Sequence, residues 1–264
     1  MNTKILASFL IIGLVASAIG MGTYAFFSDT ETSTGNTFTA GSIDLKIDLD
    51  RDGSNVWVLK DLVAGTDKFF TYSDVKPGDD GELTVSLHVY SNDAYGCFYI
   101  DPYLDTDNTC TEPELEVETG CTPAGDGELD DHLQFRIWLD QGCIPGWQCA
   151  ENDPHCTTDP HEGDNNWDKC IEIGPPEPFL TYCGSTGSAW CYLSDIDEDG
   201  EVWLLGTLTG SKTNYIGIEW NLPGATTGNA VQSDNWGANV AFYAEQTKNN
   251  GGFSCPSIDT IFPQ

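Results

Sequence analysis

The sequence is poor in positive charge: ten Lys and Arg stand against 42 Asp and Glu, a formal net charge of −32. Nucleic acid and anionic lipid are bound through lysine and arginine, so neither is expected as a partner. The same imbalance favours solubility, cation binding or a salty setting. Histidine is scarce as well. The chain has only His88, His132, His155 and His161, and the stretch "HEGDN" from His161 lacks a second histidine four residues on. The His-Glu-X-X-His signature of a zinc hydrolase is therefore missing. There is no Gly-X-Ser-X-Gly elbow for a nucleophile, and no Asn-X-Ser/Thr sequon for N-glycosylation. Carboxylate pairs are everywhere in so acidic a chain and leave glycosidase chemistry open, but nothing else points to catalysis, and the expectation is a protein that is not an enzyme.

Long apolar runs are also lacking, with one exception. Residues Ile5 to about Met21 are apolar, follow the single cation Lys4, are broken by small residues and end at Thr23-Tyr24-Ala25. A short basic start, an apolar stretch and a small residue fit a secretory signal peptide over residues 1–25, cut between Ala25 and Phe26. The tail "GGFSCPSIDTIFPQ" is not hydrophobic, so no membrane anchor is expected after cleavage. Losing Lys4 moves the charge from −32 to −33. Cysteine is abundant by comparison. An even set of ten (Cys97, Cys110, Cys121, Cys143, Cys149, Cys156, Cys170, Cys183, Cys191 and Cys255) in a secreted chain predicts disulfides. The spacing leaves their connectivity open.

The 264 residues less the 25 of the leader leave 239, enough for one large β domain. Period-two alternation recurs. In "SIDLKID" Ile43, Leu45 and Ile47 face one way, and in "ELTVSLHVY" Leu83, Val85, Leu87 and Val89 oppose Thr84, Ser86 and His88. The stretches "LQFRIWL", "NYIGIEW" and "NVAFYAEQ" repeat the pattern, and Pro-Gly-Asp and Asn-Gly turns separate them. The fold class expected is all-β: a jelly-roll-like antiparallel β-sandwich over residues 41–264, preceded by an arm over residues 26–40. A loop-rich, cysteine-rich insertion is expected over about 105–195, interrupted by a strand at 133–139. Of the eight tryptophans, most are expected to fill the core and cover disulfides, with a sugar-binding face as the other reading.

Two stretches resemble each other: "DLDRDGSNVWVLKDL" (48–62) and "DIDEDGEVWLLGTL" (195–208). They could be two similar hairpins or two uses of one turn chemistry. Each carries Asp-X-Asp-X-Asp-Gly, placing Asp48, Asp50, Asp52 and Asp195, Asp197, Asp199 on tight loops. Calcium takes six to eight oxygens, so these six are the candidate Ca²⁺ ligands, a plain acidic turn being the other reading. Position twelve is Leu59 or Gly206 where an EF-hand needs Glu. Cys149, His155, Cys156, His161 and Cys170 also cluster in sequence, but outside the cell disulfides compete for those thiols.

The N-terminus "GTYAFFSDTETSTGNTFTAGSIDLKI" resembles the leader and first strand of the TasA/camelysin family, with its SipW-dependent type of signal peptide. The resemblance continues in "SDVKPGDDGELTVSLHVYSNDAY" (73–95), in "IGIEWNLP" and in "NAVQSDNWGANVAFYAEQTKNN". The cysteine-rich middle departs from it. It implies a secreted jelly-roll subunit of extracellular biofilm-matrix or pilus-like fibres, a head-to-tail homopolymer built by donor-strand complementation. The polymerisation arm would then use Phe26, Phe27, Thr37, Phe38 and Thr39, residue types with good strand propensity. Two other expectations stay open: a camelysin-like metalloprotease, and a monomeric module that binds matrix polysaccharide or cell envelope.

Overall fold

The computed structural model describes residues 43–51, 54–90, 92–150, 156, 158–170, 174–181 and 189–263. They form an antiparallel β-sandwich, as the period-two pattern predicts. Strand β1 (Leu45–Arg51) turns back as β2 (Ser54–Lys60) and lies beside β3 (Asp80–Val89). Strand β4 (Ala94–Asp107) then opens the second sheet. The remaining strands are β5 (Gln134–Leu139), β6 (Cys191–Tyr192), β7 (Glu201–Leu208), β8 (Thr213–Asn221) and β9 (Asp234–Gln246). One sheet has the order β2-β1-β3-β8-β5-β6 and the other β7-β4-β9. The chain changes sheet at each step from β6 through β9.

The core lies between the sheets. Inward rows pair across strands, Ile47 with Leu87 and Leu49 with Val85, and all four side chains are buried. Phe98, Ile100, Leu205 and Leu208 meet them from the smaller sheet. An irregular strap over 61–79 crosses the side of the sandwich between β2 and β9. Its Phe69 sits 5.4 Å from Trp57 of β2 and 5.5 Å from Phe242 of β9, ring centre to ring centre. Burying such aromatic groups is a main contribution to core stability, each removing about 150–250 Å² from water. All eight tryptophans are buried or half-buried, and six of them belong to this core or pack on the outer face of its larger sheet.

The outer faces are covered too, which the alternation did not foretell. Thr84 and His88 point away from the core yet are only 3% and 5% exposed. The loops between β5 and β6 lie over them; Thr84 donates to Asn165 there. Those loops are fastened through Arg136 of β5. It pairs with Glu219 and lies within 6 Å of the ring centres of Trp138, Trp167, Phe179 and Trp190. On the smaller sheet the C-terminal segment takes the same part: Cys97 of β4 is disulfide-bonded to Cys255, and Tyr99 donates to the Pro256 carbonyl at 3.1 Å.

The strand expected at 133–139 is β5. Around it, between β4 and β6, the described residues hold two single-turn helices, α1 (Glu112–Leu115) and α2 (Leu129–His132), and three disulfides: Cys110–Cys121, Cys143–Cys170 and Cys149–Cys156. The two similar acidic stretches fold differently. The first is the β1–β2 hairpin, whereas the second is a 3₁₀ turn over Leu193–Asp195 and a tight turn at Gly200 leading into β7.

Candidate functional site: buried carboxylates and an open sheet edge

The sequence-expected residues separate into several groups. Ala25 and the arm residues Phe26, Phe27, Thr37, Phe38 and Thr39 lie outside the described residues, as does Asp52. Asp48 and Asp50 sit on β1, with Asp48 3.8 Å from the buried His88. Asp195 accepts the Tyr192 N–H at 2.7 Å, closing a local turn, and the Asp197 carbonyl accepts from Gly200. Among the described residues neither acidic loop gathers three ligand atoms within 4.8 Å of one another. Of the cysteines, eight close the four disulfides above and Cys191 is disulfide-bonded as well. This takes the thiols of Cys149, Cys156 and Cys170 away from any metal, as an oxidising compartment would.

Two sets of buried acids emerge that spacing did not single out. The first staples the loops between β5 and β6. Asp140, Asp159, Glu162 and Glu177 are each 3% exposed or less. Every one of their oxygens accepts a backbone N–H. Asp140 takes Gly163 and Asn165; Asp159 takes Ile144 and His161; Glu162 takes Gln148 and Cys149; Glu177 takes Gly142 and Asp168. Where these loop amides have no strand neighbour, side-chain carboxylates take the place of the ladder. Burial nevertheless pushes Glu162 and Glu177 up to about 7, and raises Asp140 well above the usual carboxylate range, with the neighbouring Glu177 charge adding to it.

The second set gathers where β4 and β9 end. Asp107 and Asp234 stand directly opposite each other across the two strands. Glu114 reaches in from α1, Glu118 follows one turn later, and Glu128 precedes α2. Oxygens of Asp107, Glu114 and Glu118 lie within 4.8 Å of one another, and so do those of Asp107, Glu128 and Asp234. Glu114 is 0% and Asp107 2% exposed. Among the described residues, backbone N–H groups reach two of the five carboxylates: Glu114 accepts the Thr111 N–H at 2.7 Å, and Asp234 accepts from Glu128 at 2.8 Å and from Leu129. Each of the five keeps one buried oxygen with no hydrogen-bond donor. Burial first, and then the neighbouring carboxylates, push Glu128 and Asp234 up to about 7. The legible signal was a run of 59 residues, 77–135, with many acids and no Lys or Arg.

Sheet edges form the third feature. In the smaller sheet β7 and β9 each pair with β4 alone among the described residues. A bulge opposite Gly96-Cys97 interrupts β7, whose Gly206 has φ +81°; such irregularity blunts an edge against pairing. Strand β9 is longer, 13 residues. Its inward row of Trp236, Ala238, Val240, Phe242 and Ala244 is only partly buried.

Comparison with known families decides which part of the chain carries the resemblance. Residues 1–88 match the camelysin metallo-endopeptidase family. The camelysin match takes in the residues expected to form the leader and the arm, and strands β1 to β3 as far as His88, and stops before the cysteine-rich loops. No curated protein matches the chain. The resemblance read in 215–250 thus rests on sequence alone. Four closed disulfides together with this match fit an extracellular or surface protein. The family's description implies a metal for peptide hydrolysis, and the donor set can be tested against it. A catalytic zinc takes three protein ligands, histidine foremost, and leaves one position open. Within the described part of the match the one histidine is His88, buried with Asp48 nearby. Among the described residues, the ligand group that contains histidine is His161, Asp164 and Asp168, far along the chain from the match. These residues do not fit a zinc hydrolase, and no hydrolytic step is derived from them.

Proposed function

We propose that the protein is a secreted structural subunit that polymerises head to tail into extracellular fibres. Residues 26–40 of one copy add as a strand to the β9 edge of the next. The observation that carries this reading is the 13-residue strand β9, which among the described residues pairs on one side only, with its half-covered apolar row. An extended segment added there would pair its backbone with β9 and lay alternate side chains over that row. Phe26, Phe27 and Phe38 supply the apolar groups, and the Ser, Thr and Asn residues between them keep a free arm soluble. Because donor and acceptor are different surfaces, the contact does not close on itself and generates a filament. The camelysin match supports the reading by covering the arm and the strands behind it.

Filaments are expected by negative-stain electron microscopy from a chain beginning at Phe26, and soluble monomers from one lacking residues 26–40. Filaments from both would overturn the role of the arm. The family's description favours a second reading, metal-dependent peptide hydrolysis. On the present account the purified chain leaves casein intact, and chelator-sensitive cleavage would contradict it.

A further inference from the structure

We propose that the five carboxylates around Asp107 form a calcium site, which fixes the Cys110–Cys121 loop and the start of α2 to the far end of β4 and β9. Like charges directly opposite in an antiparallel pair destabilise it, yet Asp107 faces Asp234 and three further acids converge on the same place. Buried charges are normally paired or bound to metal. No lysine or arginine is at hand to do the pairing: residues 77–135 and 213–247, which supply every strand and loop of the site, contain none. An independent sign of a missing ligand is Glu114. It is 0% exposed, held by the Thr111 N–H through one oxygen, and its other oxygen lies buried without a donor. Asp107, at 2% exposed, has a buried oxygen in the same condition.

The contrast with the acids between β5 and β6 sharpens the assignment. There the same chain buries four carboxylates and gives each oxygen a backbone N–H. Around Asp107 each of the five carboxylates keeps an oxygen with no donor. Within each of the two groups, Asp107 with Glu114 and Glu118 and Asp107 with Glu128 and Asp234, the ligand atoms lie within 4.8 Å of one another and can all touch one ion whose bonds are about 2.4 Å long. Chemistry selects the ion. The donors are carboxylate oxygens, and Cys110 and Cys121 are oxidised to a disulfide, so soft and borderline metals that want thiolate or imidazole are disfavoured. Magnesium keeps most of its water and takes one or two carboxylates, whereas calcium accepts six to eight oxygens from flexible, multi-carboxylate cages. Asp107 belongs to both oxygen groups and is the central ligand.

The test uses the whole mature chain, stripped with EDTA and returned to chelator-free buffer at matched ionic strength. Calcium chloride is then added in a titration calorimeter and in a thermal melt. Expected are binding tighter than about 1 mM, as for extracellular calcium modules, and a melting temperature that rises with calcium. Magnesium at the same concentration should raise it less. Asp107→Asn should weaken calcium binding at least about tenfold, since affinity follows ligand charge. Without calcium that variant should melt no lower than the wild type, because it removes repulsion. Glu118→Gln provides a second, less buried substitution with the same expected loss of calcium response, and Asp197→Asn should leave it unchanged. Absence of heat and of any melting shift up to about 10 mM calcium would overturn the proposal. So would unchanged binding in both Asp107→Asn and Glu118→Gln, a response to magnesium as large as that to calcium, or loss of binding in Asp197→Asn.

Discussion

Single residues decide how tightly the layers approach. Gly217 of β8 lies opposite Trp138 of β5, and a Cβ there would sit 2.1 Å from the indole. Trp138 is 1% exposed and carries the loops above it, so it cannot swing aside. Gly217→Ala should therefore cost about 1–3 kcal/mol through overpacking, read as a lower urea midpoint; an unchanged midpoint would refute the contact. The stapling acids give a second residue-scale expectation. Glu162 and Glu177 hold their protons to about pH 7 in the folded chain, against 4.5 when unfolded. Asp140, Asp159 and Asp168 face this pair, and Lys212 is the cation near Glu162. Because the folded state binds the proton more tightly, stability must fall as pH rises from about 4.5 to about 7, and level off above. Melting temperatures measured in EDTA should show this descent, and Glu177→Gln should make it shallower. A rise over that window would contradict the assignment. At this scale the sequence misled: His88 and Thr84 alternate like surface residues, because alternation reports which side faces the sheet's own core and is silent about a loop layer folded over the other side.

Elements were the most legible level. Strands β1, β3, β5, β8 and β9 follow the period-two runs because a half-buried sheet requires that pattern. The similar acidic stretches could not be resolved in the same way, since Asp-rich turns with Gly serve hairpins and 3₁₀ turns alike. The acids around Asp107 were illegible for a related reason. They come from β4, α1, the loop after it, the approach to α2 and β9, and only the folded register places Asp107 opposite Asp234. Disulfide pairing was equally closed to reading. The Cys97–Cys255 bond spans a sequence separation of 158 and ties the C-terminal segment over β4. Closing a loop of that length removes unfolded-state freedom worth about 4–5 kcal/mol in the chain-entropy treatment. The double variant Cys97→Ser, Cys255→Ser should lose stability of that order in denaturant unfolding. A loss near zero would mean that Tyr99 and the aromatic contacts of Phe253 hold the segment unaided.

At the scale of the whole molecule, the composition, the disulfides and the camelysin match point the same way. A strongly acidic chain keeps its copies apart by repulsion, so association needs a specific contact rather than general stickiness. Under the proposed function, backbone hydrogen bonds would supply it at β9, which among the described residues pairs with β4 alone. The central claim is that each copy donates residues 26–40 and accepts the same segment at β9. A chain lacking residues 26–40 would keep the acceptor edge and lose the donor, so it should cap a growing filament. Filament length by negative-stain electron microscopy, measured while arm-less chain is mixed into full mature chain in rising proportion, tests this most directly. The account predicts progressively shorter filaments that carry arm-less chain at one end. Filaments of unchanged length, with the arm-less chain left in solution, would contradict it.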